Sequence, residues 1–226
     1  MPIDPFATRE ELPETLPDSP FPLIEEWLAF ATEQKVQPNP NAMTVATVGP
    51  DGQPSARIVL CRGLDVERGI VWFYTNKRSR KGRELAGNPR VALILHWDDL
   101  DRQVRIEGVA TDATDAESDA YFASRGPANR IGSWASDQSE PIDSRDALMA
   151  KVMDTIMRLG IDMDRLEDVK IPRPAHWGGY RVWAHRVELW LGSSSRIHDR
   201  ARWERTLTRA GDEYAAGPWS STRLQP

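Results

Sequence analysis

The chain is almost without thiols: Cys61 is its one cysteine. No disulfide can form within it and no cysteine-based metal site can be assembled, which fits a reducing compartment. It also lacks an apolar run long enough to cross a membrane. Its opening stretch, MPIDPFATREELPETLPDSP, is acidic and proline-rich, with no apolar core of a secretory signal. These absences point to a cytoplasmic protein. Histidine is scarce, and His96, His176 and His185 each stand alone, so no metal is expected. No G-x-S-x-G elbow is present, which leaves a Ser-His-Asp hydrolase unsupported. Positive charge is not in excess: 29 Lys and Arg against 34 Asp and Glu give a net charge of -5. A protein that coats nucleic acid or an anionic membrane is therefore not expected, and any basic cluster must be local.

What is present is ordinary for a globular protein, with 40% hydrophobic and 28% charged residues over 226 positions, enough for a real core. Residues 1–18 read as a flexible segment, disordered or draped over the surface, ahead of one domain over 19–226. DSPFPLIEEWLAFATEQK carries a cap signal at Asp18/Ser19 and apolar residues at helical spacing. From residue 42 the period becomes that of strands: AMTVATV, ARIVLCR and IVWFYTN are separated by turns, and VALILHW with RQVRIEGVATDA forms a hairpin. SRKGRELAGNPR, DATDAESDAYFASR and DSRDALMAKVMDTIMRLG read as helices; GGYRVWAHRVELWLG and WSSTRLQP return to strand. The fold class is β-rich α+β, a meander with helices inserted between strand pairs, closed fully or partly into a barrel to hide its edges.

Several cations stand where structure alone gives little reason for them. NKRSRKGRE holds Lys77, Arg78, Arg80, Lys81 and Arg83, and a helix capped by Ser79 would put Arg80 and Lys81 at the end where the dipole disfavours positive charge. An anion bound there would explain them; a solvated basic face is the alternative. Arg57 and Arg62 mark the ends of one apolar strand. Tyr121, Arg125 and Asn129 fall at i, i+4 and i+8, with Gly126-Pro127 expected to end the helix near Arg125 and a loop to return Asn129. In SSSRIHDR, an extended backbone would turn Arg196, His198 and Arg200 to one face. The nine tryptophans are core material, but several lie beside polar motifs, where a planar ligand could sit.

Nine blocks occur in one order: NAMTVATVGPDGQPSARIVL, FYTNKRSRKGRELAGNPRVALILHW, RQVRIEGVA, YFASR, IGSWASDQS, WGGYRV, ELWLG, RIHDR and RLQP. Together they resemble the pyridoxamine 5'-phosphate oxidase family. The resemblance implies a split β-barrel homodimer with flavin mononucleotide (FMN) at the subunit interface. It assigns the FMN phosphate to Arg57, Arg80 and Lys81, and the flavin to Ile58, Val59, Tyr74 and Thr75, with Leu60 and Arg62 in the same cofactor-binding segment. Gln103 would reach the flavin from the adjacent strand, and Gln138, Ser139, Trp190 and Arg200 would come from the other subunit. The substrate phosphate would fall to Tyr121 and Arg125, helped by Arg62 and Asn129. Arg196 and His198 would close over the pyridine ring as catalytic residues. The implied reaction moves a hydride from the 4' carbon of pyridoxine or pyridoxamine 5'-phosphate to the flavin, giving pyridoxal 5'-phosphate, and oxygen is reduced to peroxide. Arg62 stands where the family usually has Lys, Asn129 where it usually has Ser, and Leu191 where it often has Gln. Two other readings stay open: a flavin oxidase of the same fold acting on another planar substrate such as a phenazine precursor, and a non-enzymatic FMN- or pyridoxal-phosphate-binding protein.

Overall fold

The computed structural model describes residues 10–226. Helix α1 (Phe21–Glu33) is followed by strands β1 (Ala42–Val48), β2 (Pro54–Leu60), β3 (Gly63–Asp65) and β4 (Ile70–Asn76). Helix α2 (Arg80–Gly87) leads to β5 (Arg90–Trp97) and β6 (Arg102–Asp112). Helices α3 (Asp115–Ala123), α4 (Pro127–Ala135) and α5 (Arg145–Arg158) come next. The chain ends with β7 (Trp177–Leu191), β8 (Asp199–Glu204), the hairpin β9 (Leu207–Ala210) and β10 (Glu213–Ala216), and β11 (Ser220–Leu224).

The main sheet is antiparallel throughout and runs β11-β8-β7-β6-β5-β1-β2, with β4 also on β7 and β3 on β4. Strand β7 holds it together. Its first half pairs with β4, from Trp177↔Asn76 to Trp183↔Ile70, and its second half pairs with β8, from Arg186↔Glu204 to Leu191↔Asp199. One long strand that changes partner, and that carries a bulge at His185 opposite Glu107 and Gly108, curls the sheet into the half-barrel that the alternating pattern leads one to expect. Met43, Val45, Leu93, Leu95, Val104, Ile106, Val187, Leu189 and Trp203 point inward, and α1 closes the core with Phe21, Ile24, Trp27 and Ala31. A second, smaller apolar cluster, Ile131, Ile156, Ile161 and Ile171, forms where α4 packs on α5.

Three expectations are corrected. Residues 10–18 are tied down rather than flexible: Leu12 is buried, its N–H donates to Asp199 Oδ2 at 2.7 Å, and Trp203 Nε1 donates to the Pro17 carbonyl at 2.8 Å. The rest of that segment, 1–9, lies outside the described residues. Helix α1 starts at Phe21 after Pro20; Ser19 Oγ accepts the Phe21 N–H at 3.3 Å, so the cap signal acts just ahead of the helix. After Arg125 the chain does not loop. Gly126 and Pro127 open a new helix, because Pro at the first helical position needs no N–H partner, and Asn129 lies in the first turn of α4.

Candidate functional site

Between β2, β4, the start of α2 and the α3–α4 pair lies a cavity of about 1080 Å³, just above the roughly 300–1,000 Å³ range for small-molecule sites. Strand β2 is the edge of the sheet and gives the cavity one wall: Arg57, Ile58, Val59 and Leu60 line it, and so does Arg62 just beyond the strand. Ile58 is 64% exposed, a large apolar side chain left bare on a charged wall. Opposite, Tyr74 and Thr75 come from β4. Tyr74 stacks on Tyr121 at 4.1 Å between ring centroids, and Trp177 stacks on both. This packing needs Gly179, where an added Cβ would lie 2.6 Å from the Tyr74 ring.

Ser79 does cap α2: its backbone is extended and its Oγ accepts the Gly82 N–H. The first turn of the helix passes so close to Lys77 that a Cβ on Gly82 would sit 2.1 Å from the Lys77 carbonyl oxygen. Arg80 and Lys81 are thereby held at the cavity rim. Lys81 Nζ is buried and donates to Thr75 Oγ1 at 3.0 Å, Ser79 Oγ at 3.2 Å and Gln138 Oε1 at 3.1 Å. Burial first, and the neighbouring Arg57 second, bring its pKa down to about 8, with Glu84 opposing.

A second group of cations stands against the rings. Arg125 lies 4.8 Å from the centre of the Trp177 ring, and Arg62 lies 5.4 Å from that of Tyr121. Neither forms an ion pair among the described residues. Arg125 is pushed below the usual arginine range by burial, and Arg62 adds to that by repulsion. Its Nη1 donates to Ser133 Oγ at 2.6 Å, and Asn129 and Ser133 line the cavity from successive turns of α4.

Of the residues expected at the site, fourteen line this one cavity. Gln138 and Ser139, expected from a second subunit, are among them: the turn after α4 carries them back against Lys81 and Thr75 of their own chain. Ser139 does so with left-handed backbone, φ +78°. Gln103, Trp190, Arg196, His198 and Arg200 do not line the cavity. Gln103 therefore goes with the distant group and not with its own chain's pocket: Gln103↔Trp190↔Arg200 is one cross-strand row over β6, β7 and β8. Arg200 is not free either, since it pairs with Glu188 at 2.7 Å and donates to the Gln225 carbonyl. The run before it is not extended. Residues 193–198 turn, with Arg196 at φ +63°, so Arg196, His198 and Arg200 do not form a strand face. His198 instead packs against Trp190, with ring centroids 4.7 Å apart and the planes tilted by 40°, and accepts the Ser193 N–H on Nδ1 at 3.1 Å. Three contributors were missed: Trp177, Ser133 and the buried carboxylate of Glu84. An Arg80–Glu84 spacing of four on a helix was a visible signal for the last; nothing local marks the other two.

The match to known proteins decides the class. A family model described as "Pyridoxamine 5'-phosphate oxidase" matches residues 30–157, and one described as "Pyridoxine 5'-phosphate oxidase C-terminal dimerisation region" matches 177–226. The chain belongs to the pyridoxamine 5'-phosphate oxidase family. A pyridoxine/pyridoxamine 5'-phosphate oxidase of Burkholderia vietnamiensis is 48% identical over 94% of this chain and 91% of its own length. One of Azorhizobium caulinodans is 46% identical over 94% and 92%. Among solved structures, PhzG from Burkholderia lata, in complex with tetrahydrophenazine-1-carboxylic acid, superposes with a TM-score of 0.80 at 34% identity, over 97% of this chain and 99% of that one. An FMN-binding protein of Nostoc punctiforme shares the fold, with a TM-score of 0.64 at 17% identity over 91% and 96%. The family makes the chain a flavoprotein oxidase on a split-barrel fold. Among the described residues no cluster of His, Cys, Asp and Glu could hold a metal ion, and no helix is long and apolar enough to cross a membrane.

Proposed function

We propose that this chain is an FMN-dependent oxidase of pyridoxine 5'-phosphate and pyridoxamine 5'-phosphate that works as a homodimer. The observation that carries the reading is the division of the cavity's cations into two groups, the second of them seated against the stacked aromatic rings. Arg57, Arg80 and Lys81 form one, Arg62 and Arg125 the other. Two phosphorylated ligands, a cofactor and a vitamer, each need such a group.

The residues fit FMN. The first group meets a phosphate with charge and free N–H donors, while exposed Ile58 with Val59 offers apolar surface to a planar ring. Bound there, FMN supplies the redox chemistry, accepting a hydride from the substrate's 4' carbon and passing the electrons to oxygen. Arg125, fixed by Ser133, and Arg62 hold the substrate phosphate, with Tyr121 and Asn129 as neutral partners. Gln103, Trp190 and Arg200 lie outside their own chain's cavity, inside or beside the segment matched as a dimerisation region. In this reading the row completes the partner's site, and Arg196 and His198 close over the partner's substrate. With pyridoxine 5'-phosphate, two electrons and two protons leave the substrate alcohol and appear in peroxide.

The second reading, oxidation of a phenazine precursor, is favoured by the superposition on PhzG. An Arg62–Arg125 pair would also take a carboxylate. The greater identity to the vitamer oxidases favours the first. The test is to identify the flavin released from purified protein and then to supply pyridoxine 5'-phosphate with oxygen. Released FMN with formation of pyridoxal 5'-phosphate and peroxide is expected; a colourless protein without turnover contradicts the proposal.

A further inference from the structure

Glu84 lies outside the cavity lining, yet it holds two residues that form it. Its carboxylate accepts Arg80 Nε at 2.8 Å and Arg57 Nη2 at 3.2 Å, from a helix and a strand respectively. It also accepts Thr47 Oγ1 at 2.5 Å and Ser55 Oγ at 2.8 Å, and these two hydroxyls in turn accept the terminal nitrogens of Arg57. The side chain of Glu84 is only 5% exposed.

We propose that Glu84 is a positioning residue that aims Arg57 and Arg80 and sets the charge of their site for a phosphomonoester dianion. The inference rests on the reading that this cavity binds FMN. Three points support it. First, the anchoring is selective. Among the described residues Arg80 is held by Nε alone, which leaves both of its terminal nitrogens to fork onto an anion. Arg57 has its terminal nitrogens engaged by Val45, Thr47, Ser55 and Glu84 and stands as a fixed charge with Nε to offer. Second, three cations with one buried carboxylate leave a net of two positive charges. A phosphomonoester carries about -1.5 to -2 at pH 7, so the two match. Third, the carboxylate is ionised. Burial raises its pKa, but the hydrogen bonds from Thr47, Ser55, Arg80 and Arg57 outweigh burial and bring it to about 2. Without it, Arg57, Arg80 and Lys81 would repel one another in the empty site, and binding would have to offset the cost of ordering them.

The sign of one measurement separates this role from simple electrostatics. Glu84→Gln removes a negative charge, which by attraction alone would tighten the binding of any anion. Positioning requires the reverse. Dissociation constants for FMN and for riboflavin, which has the same ring without the phosphate, are to be measured by flavin fluorescence on apoprotein. FMN affinity should fall about 10-fold in Glu84→Gln, the worth of one charge-assisted contact, while riboflavin affinity stays within about twofold. Glu84→Asp, which keeps the carboxylate, should recover part of the FMN preference, and it serves as the test should the Gln variant not fold. Tighter FMN binding, an unchanged preference, or an equal loss for both flavins overturns the proposal. Wild-type protein that binds FMN no better than riboflavin overturns the phosphate site itself, a distinct result.

Discussion

Arg125 Nη1 donates to Ser133 Oγ at 2.6 Å, and Ser133 Oγ donates to the Asn129 carbonyl at 3.0 Å. A hydroxyl thus stands one turn after Asn129 on α4, where it steadies the arginine proposed to hold the substrate phosphate. Ser133→Ala should raise KM for pyridoxine 5'-phosphate by roughly 3- to 10-fold, with kcat and FMN affinity little changed, because one hydrogen bond to a charged group is lost outside the cofactor site. Steady-state kinetics on flavin-saturated enzyme check this.

Lys81 sets a pH dependence. Its ammonium titrates near 8 in the free protein instead of 10.5, and a bound phosphate favours the charged form. FMN affinity should therefore fall as pH rises through about 8, by up to about tenfold per unit, while riboflavin affinity stays level. Below neutrality FMN affinity should fall again as the phosphate takes up its second proton near pH ~6. A flat FMN profile above pH 8 contradicts the placement of Lys81 at the phosphate.

The separation of Lys81 from Arg200 predicts complementation. If each site takes Lys81 from one chain and Arg200 from the other, Lys81→Ala and Arg200→Ala proteins should each be nearly inactive. Unfolded and refolded together in equal amounts, they should recover roughly a quarter of wild-type activity, since half the twofold dimers hold one intact site of two. No recovery contradicts the shared site.

Arg196 and His198 should matter for turnover and little for folding. Arg196 makes no ion pair among the described residues, and its left-handed backbone is a local cost that a functional position can carry. With Nδ1 accepting the Ser193 N–H, a neutral His198 carries its proton on Nε2, free to donate to a substrate atom. Arg196→Ala should give a yellow dimer of near-native melting temperature with kcat/KM lowered on the order of 10²–10³, and His198→Ala a smaller loss. Full activity in both variants would mean that this loop faces something else.

Much of this was legible in the sequence because it is written in local signals. Ser79 and the cations behind it mark the start of α2, the alternation of β1, β5 and β6 marks their buried faces, and Ser144 marks α5. What was not legible depends on distant contacts. Pro17 is pinned by Trp203 from across the chain, so acidic, proline-rich composition misjudged residues 10–18. Gly126-Pro127 is as good an N-terminus as a stop, and only packing of Ile131 on Ile156 shows that a helix follows. The row Gln103–Trp190–Arg200 is set by register between three strands, which alternation alone does not determine.

In the proposed function two phosphates, one on the cofactor and one on the substrate, occupy the two cation groups. The most direct test is aerobic turnover of the FMN-loaded wild-type enzyme with pyridoxine 5'-phosphate, with unphosphorylated pyridoxine and with a tricyclic phenazine precursor carboxylate, following pyridoxal 5'-phosphate and peroxide. Equal amounts of the two products are expected from pyridoxine 5'-phosphate, with kcat/KM lower by at least about 100-fold without the phosphate, because Arg62 and Arg125 then lose their partner. Turnover of the tricyclic acid in preference to the vitamer, or equal use of pyridoxine with and without its phosphate, would contradict the proposed function.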